Sequence, residues 1–237
     1  MKITTVTDPG CRKTVNEDTV ILRNGRFPIL GIADGMGGHA GGAVASSKAA
    51  KTLLETLEMA MPNENDLEFA FKKANAVLLD MQHEDESLSG MGTTMTVLWF
   101  DDESNAVLGH VGDSRAYLLR DKKLTQLTRD HSLVNDLIRQ GALTPDEARV
   151  HPYRNMITRA VGSEPRLDVD VSTFRAQAGD RFLICSDGLT EYLEDADISA
   201  ELDLHPIEQA AENMLAEVLR RAGHDNISIV IAEVEHE

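Results

Sequence analysis

The stretch GIADGMGGHAGG, residues 31–42, decides the reading of this chain. In it an apolar run that starts at Phe27 ends at Asp34, and glycines lead on toward a helix-like segment. An Asp-Gly pair after a strand is most often only a turn. Three further aspartates share the setting, however. Asp113 in HVGDSR and Asp187 in CSDGL follow apolar runs, and Asp225 in GHDNIS comes just before one. Carboxylates at strand ends can converge on one rim of a sheet, where they repel one another unless a cation or a proton intervenes. Hard oxygen ligands of this kind select Mg²⁺ or Mn²⁺ rather than zinc.

The same stretch satisfies a competing pattern, because Gly35, Gly37 and Ala40 spell G-x-G-x-x-A between a strand and a helix, the dinucleotide fingerprint. Two features speak against it. Asp34 would face the anionic pyrophosphate, and the acidic position some 20 residues on is Glu55, inside a helical pattern instead of at the end of a second strand. Other phosphate chemistries fail by absence: the chain has no G-x-x-x-x-G-K-[ST] loop, no H-E-x-x-H helix and no G-x-S-x-G elbow. Six positions after Cys11 and Cys185 stand Glu17 and Glu191, where a cysteine-nucleophile phosphatase needs arginine. Metal-activated water is the mechanism these absences leave.

Composition narrows the setting. Lys and Arg number 23 against 40 Asp and Glu, a formal charge of −17 that repels nucleic acid and anionic membranes. The excess acid serves either general solvation or a cation-binding cleft. Two cysteines are too few for a disulfide framework and fit a reducing compartment. The N-terminus lacks an apolar signal core and no run is long enough to cross a bilayer, so a cytoplasmic protein is expected. The length of 237 residues suits one large domain, 1–237.

Strand-length apolar runs lie at 27–33, 93–100, 105–111, 115–119, 181–186 and 227–234. Helical periodicity covers 43–60, then 67–82 with Asn65 or Asp66 as cap, then 207–223 with Gly223 as C-cap. Clustered strands with segregated helices predict an α+β fold of antiparallel sheets covered by helices. Residues 129–160, polar and irregular, read as an inserted flap with one short helix.

Eight motifs stand in one order: NED at 16–18, DGMGG at 34–38, GTT at 92–94, GDSR at 112–115, LTRDHS at 127–132, ITRAVG at 157–162, CSDGL at 185–189 and DNIS at 225–228. With them the chain resembles the PPM (type 2C) metal-dependent protein serine/threonine phosphatases in their compact bacterial form, over about residues 3–234. The resemblance implies a four-layer αββα sandwich with two or three Mn²⁺ or Mg²⁺ ions at one end. It implies that Asp34 bridges two ions, that the Gly35 carbonyl binds one, and that Asp187 and Asp225 complete the enclosed site. Glu17 and Asp18 are implied as outer-shell carboxylates, and Asp113 with Asp187 as ligands of a third, looser ion. The activity implied is hydrolysis of phosphoserine and phosphothreonine in proteins by a metal-bridging hydroxide, without a phosphoenzyme, opposing a bacterial Ser/Thr kinase. The expected partners are phosphorylated proteins, and the chain is expected to act as a monomer.

Two positions depart from the family pattern. The phosphate-binding arginine is replaced by Lys13, a point charge without the planar fork, with Arg12 beside it as the alternative. Where some eukaryotic relatives carry a histidine after the Asp-Gly pair, this chain has Met36, and His39 three residues on is a candidate acid. His110 reads as a packed core residue, Ser114 and Arg115 as braces for the Asp113 loop, and Thr93 and Thr94 as the start of a strand.

Overall fold

The computed structural model describes residues 1–37 and 41–235. In chain order the strands are β1 (Lys2–Asp8), β2 (Asp18–Arg23), β3 (Ile29–Met36), β4 (Gly92–Thr93), β5 (Met95–Phe100), β6 (Asn105–Val111), β7 (Arg115–Arg120), β8 (Lys123–Gln126), β9 (Asp170–Arg175), β10 (Arg181–Cys185) and β11 (Ile227–Glu233). The helices are α1 (Gly41–Thr56), α2 (Glu64–Glu84), α3 (Leu133–Arg139), α4 (Pro145–Arg149), α5 (Asp187–Thr190), α6 (Asp195–Leu204) and α7 (Ile207–Arg220). One sheet runs β1-β11-β10-β7-β8, the other β2-β3-β5-β6-β9 with β4 on β3. Every strand pairing is antiparallel.

Side-chain alternation along the strands builds the layers. On β3, Leu30 and Ile32 face the other sheet while Ile29 and Ala33 face helices; on β11, Val230 and Ala232 face inward while Ile227, Ile229 and Ile231 meet α7. Three apolar cores result. One lies between the sheets around Leu98, Phe182 and Ile184, one under α1 and α2 around Phe71 and Trp99, and one under α6 and α7 around Met214 and Val218. Both faces of each central strand are buried, which is why β5, MTVLWF, reads as an unbroken apolar run and not as an alternation. Each such fully buried side chain contributes about 1.5–3 kcal/mol. The fold is therefore the αββα sandwich of two antiparallel sheets flanked by helices.

Several expected boundaries move. The β3 strand runs on through Asp34 to Met36, because β4 pairs with Gly35 and Met36 and extends the ladder past the expected turn. The α2 helix starts at Glu64 and its cap is Asn63, whose side chain accepts from Asp66 N–H at 2.9 Å, so neither Asn65 nor Asp66 is the cap. At the end of α7 the left-handed residue is Ala222, with φ 60°, and not Gly223. Ala222 N–H bonds to Leu219 O and Gly223 N–H to Val218 O, the paired bonds of a Schellman ending. The flap carries two short helices, α3 and α4, where one was expected. Among the described residues no helix is long and apolar enough to cross a membrane.

Candidate active site

The carboxylates gather at one end of the sandwich because antiparallel register puts them there. Asp18, the first residue of β2, stands opposite Asp34 of β3 in the ladder. Asp187 opens α5 just after β10, Asp225 lies just before β11, and Asp113 follows β6. Asp34 is pinned through its main chain: its N–H donates to Thr94 Oγ1 at 3.1 Å, and its carbonyl accepts from Thr94 N at 2.8 Å and Thr93 Oγ1 at 2.8 Å. Next to it only glycine fits, since a Cβ on Gly35 would lie 2.1 Å from Gly42 O and 2.6 Å from Glu17 O.

A row of hydroxyls ties the two sheets together beneath these acids. Ser186 Oγ donates to Asp18 Oδ2 at 2.8 Å and accepts from Ser228 N–H at 2.9 Å, so the residue before Asp187 also holds Asp18. Asn226, next to Asp225, accepts Glu17 N–H at 2.8 Å and donates to Pro9 O and Val15 O, each at 3.1 Å. It thereby fastens the 9–17 loop, and on that loop Lys13 reaches Asp225 at 3.1 Å and Glu17 at 3.5 Å. Burial works against the Lys13 ammonium, but contact with Asp225 and Glu17 outweighs it and raises its pKa. Arg12 is exposed.

Electrostatics show how closely these acids crowd. Asp34, Asp113 and Asp187 are half-buried. Burial raises Asp34 well above the usual carboxylate range, and repulsion from Asp18, Asp187, Asp113 and Asp225 adds to it. Asp187 is raised in the same way by burial, then by Asp113, Glu191, Asp225 and Asp18. Asp113 is pushed up to about 7, chiefly by burial and then by Asp130. Asp18 is raised by burial, partly offset by hydrogen bonds, and its Oδ1 is buried with no hydrogen-bond partner. Among the described residues no three acidic, histidine or cysteine side chains draw close enough to form a ready-made metal cage. The acids face one another across the cleft and repel.

Beside Asp113 and Asp187 opens a groove of about 750 Å³ between the flap and the α5–α6 segment. Its roots are joined by the Ser132–Ile157 bridge, and its far side is latched by Arg149 to Glu194 and Asn155 to Glu191, each at 2.6 Å. Arg115 grips Asp130 through both carboxylate oxygens at 2.6–3.0 Å, and Ser114 Oγ meets Thr94 Oγ1 at 2.7 Å, so both brace the Asp113 loop as expected. His110 is buried between Thr96 Oγ1 and Arg129 O, and burial with repulsion from His131 pulls it down to about 4. His39 lies outside the described residues. Thr94, Asn226 and Ser186 hold the acids, a role the sequence reading did not assign to them. Their signal was membership of the GTT, DNIS and CSDGL motifs, with Ser186 and Asn226 directly beside an aspartate.

The family model described as "Protein phosphatase 2C" matches residues 12–231. The chain belongs to the protein phosphatase 2C family. "Serine/threonine protein phosphatase PstP" of Mycobacterium tuberculosis is 37% identical over 229 residues, covering 96% of this chain and 44% of that protein. The chain thus spans less than half the length of that relative. "Protein phosphatase PhpP" of Streptococcus pneumoniae is 35% identical over 246 residues, covering 100% of this chain and 99% of that one. The solved catalytic domain of PstP in complex with two manganese ions superposes with a TM-score of 0.89 at 34% identity, over 99% of this chain and 98% of that one.

The donor set of this member fits divalent cations. Its groups are carboxylates and a backbone carbonyl, all hard oxygens, and several are buried against their own repulsion. The orphaned Asp18 Oδ1 is a further acceptor awaiting a donor such as a cation-bound water. Dependence on a divalent metal is a property of the family to which these features correspond.

Proposed function

We propose that this chain is a phosphoprotein phosphatase that hydrolyses phosphoserine and phosphothreonine in proteins, working with two or three Mn²⁺ or Mg²⁺ ions and opposing a bacterial Ser/Thr kinase. The observation that carries the reading is the convergence of Asp18, Asp34, Asp113, Asp187 and Asp225, each felt by another across one cleft. No arrangement of buried like charges is stable without compensation, and a cation is the compensation this donor set prefers. Asp34, the Gly35 carbonyl, Asp187 and Asp225 would hold the enclosed ions, Asp113 with Asp187 the looser one, and Glu17 and Asp18 the outer shell. Bound there, the ions supply activation of water and neutralisation of the phosphoryl charge.

The chain's own groups divide the remaining work. The Lys13 ammonium, held at the cleft by Asp225 and Glu17, is the cation placed to receive the substrate phosphate, with Arg12 free to swing in from the exposed loop. The flap at 129–160 forms one wall of the groove in which the polypeptide around the phosphorylated residue would lie, and it selects among substrates. Residues 1–237 act as one catalytic unit, cytoplasmic and monomeric. A single assay tests the reading: hydrolysis of a phosphothreonine peptide with Mn²⁺, with EDTA, and with Asp187→Asn in parallel. Turnover that requires both metal and Asp187 supports it. Metal binding without turnover by the wild-type chain would reassign the site to phosphopeptide binding.

A further inference from the structure

The flap reaches the Asp113 loop through Asp130, gripped by Arg115, and through its neighbour His131. Its backbone N–H donates to Gly112 O at 2.7 Å, and its ring Nδ1 accepts Gly112 N–H at 3.0 Å. One flap residue therefore satisfies both main-chain groups of the glycine that precedes Asp113. Gly112 has φ +112°, and a Cβ there would fall 2.5 Å from Thr94 Cβ, so this turn is shaped by its contacts and not by a strand ladder. Both roots of the flap close on the same point, because Thr158 N–H donates to His131 O at 2.8 Å.

The ring's proton follows from these bonds. Nδ1 accepts, so it carries no hydrogen, and the neutral ring holds its proton on Nε2. That nitrogen lies 3.2 Å from Asp170 Oδ2, a fitting acceptor. Arg159 Nη1 is also 3.2 Å from Nε2, but as a donor it gives its own hydrogen to Asp170 Oδ1 at 2.8 Å, so the carboxylate is the acceptor shared by both. The ring of His110 packs against that of His131, with ring centroids 4.7 Å apart. The arrangement is the one by which a carboxylate fixes the tautomer and direction of a histidine, here acting on a backbone amide.

We propose that His131 is a positioning residue: it sets the Gly112–Asp113 turn so that Asp113 can reach a divalent cation, and Asp170 fixes the ring tautomer that makes this possible. The role rests on the phosphatase reading for its consequence in turnover, but not for its structural effect. A ring that only filled space would be replaced equally well or badly by any side chain of similar size. A positioning ring would not, because asparagine places an acceptor oxygen where Nδ1 lies, whereas glutamine reaches the Nε2 position and leaves Gly112 N–H without a partner.

The test compares wild type, His131→Asn and His131→Gln by hydrogen exchange of the 109–116 segment without metal, by calorimetric titration with Mn²⁺, and by kcat and KM on a phosphothreonine peptide. Expected is faster exchange in His131→Gln, with weakest-site Mn²⁺ affinity and kcat lower by about 10-fold or more, the range for loss of an orienting partner. His131→Asn is expected to restore most of all three. Equal behaviour of the two variants, whether both intact or both impaired, would overturn the proposal. If exchange and Mn²⁺ affinity shift as expected while wild type shows no turnover, the phosphatase reading falls and the positioning role stands.

Discussion

Asp34 and Asp113 face the same cleft, yet they are held in different ways. Asp34 sits inside a strand, opposite Asp18 on one side and bound through its main chain to Thr93 and Thr94 on the other. Asp113 sits in a turn between β6 and β7 whose shape depends on side chains: His131 from the flap, Ser114 against Thr94, and Arg115 locked on Asp130. The first arrangement is as rigid as the sheet itself. The second is as rigid as the flap to which it is tied. A cation held by the strand pair is thus expected to bind in any flap state, and one held by Asp113 only when the flap root is in place.

The largest effect is expected from breaking the rigid half. Asp34→Asn should lower kcat by more than the roughly 100-fold that loss of an outer-shell partner can cost. It should leave the metal-free fold intact or somewhat firmer, since it removes a carboxyl raised by burial and repulsion. Activity on a phosphopeptide and a melting curve in EDTA check both halves, and a variant that melts well below wild type would contradict the account.

Titration comes next. Asp34, Asp187, Asp18 and Asp113 bind protons more tightly in the fold than in the unfolded chain. In the window between the ordinary carboxylate pKa near 4 and the raised value, which is about 7 for Asp113, the native state carries more protons. Through these four carboxyls metal-free stability should therefore fall as pH rises through that window, while His110, pulled down to about 4, works the other way until its ordinary pKa of 6.5 is passed. Saturating Mn²⁺ should remove the carboxyl slope. Urea unfolding at pH 6.5 and pH 7.5, with and without Mn²⁺, reads the sign above the histidine range, and a metal-free protein that gained stability over that range would reverse it.

Thr94 joins the two halves, because its hydroxyl accepts from Asp34 N–H and meets Ser114 Oγ. Thr94→Val keeps the shape and deletes that hydroxyl, leaving a buried donor unpaired at a cost of about 1–3 kcal/mol. Its Mn²⁺ titration should weaken at both kinds of site, unlike a flap substitution, which should weaken one. The smallest effect belongs to the flap latch. The Arg149–Glu194 pair is exposed, so Arg149→Ala, which leaves Glu194 as the cap of α6, should change stability by no more than about 1 kcal/mol. The expected change is in KM for the phosphopeptide with kcat nearly intact, and an unchanged KM would show that the latch does not shape the groove.

The sequence made the sandwich legible where strands are buried on both faces. The β3, β5, β10 and β11 strands are apolar runs that no other element explains. Strands at or near the sheet edges were harder. The β1 strand, KITTVTD, and the β8 strand, KLTQ, alternate polar residues toward solvent and were not assigned individually. The α6 helix, DADISAELDL, escaped because only Ile198 and Leu202 of it are buried. At the site, the aspartates stood out by type and by the glycines around them, and the order of motifs indicated that they meet. What could not be read was who holds them. Asn226 and Ser186 act through bonds to residues about 210 and 170 positions away, and no local spacing encodes those. Asn63 was missed as a cap for a simpler reason, as the polar stretch NEND offers several candidates and only geometry picks one.

Whether the converging carboxylates form a divalent-cation centre is decided by crystals grown with Mn²⁺ and measured for its anomalous scattering. Density peaks are expected in the cleft between Asp34, Asp187 and Asp225, with a weaker peak beside Asp113 that fades in His131→Gln. An empty cleft at saturating Mn²⁺, or peaks only at surface carboxylates away from Asp34, would rule such a centre out.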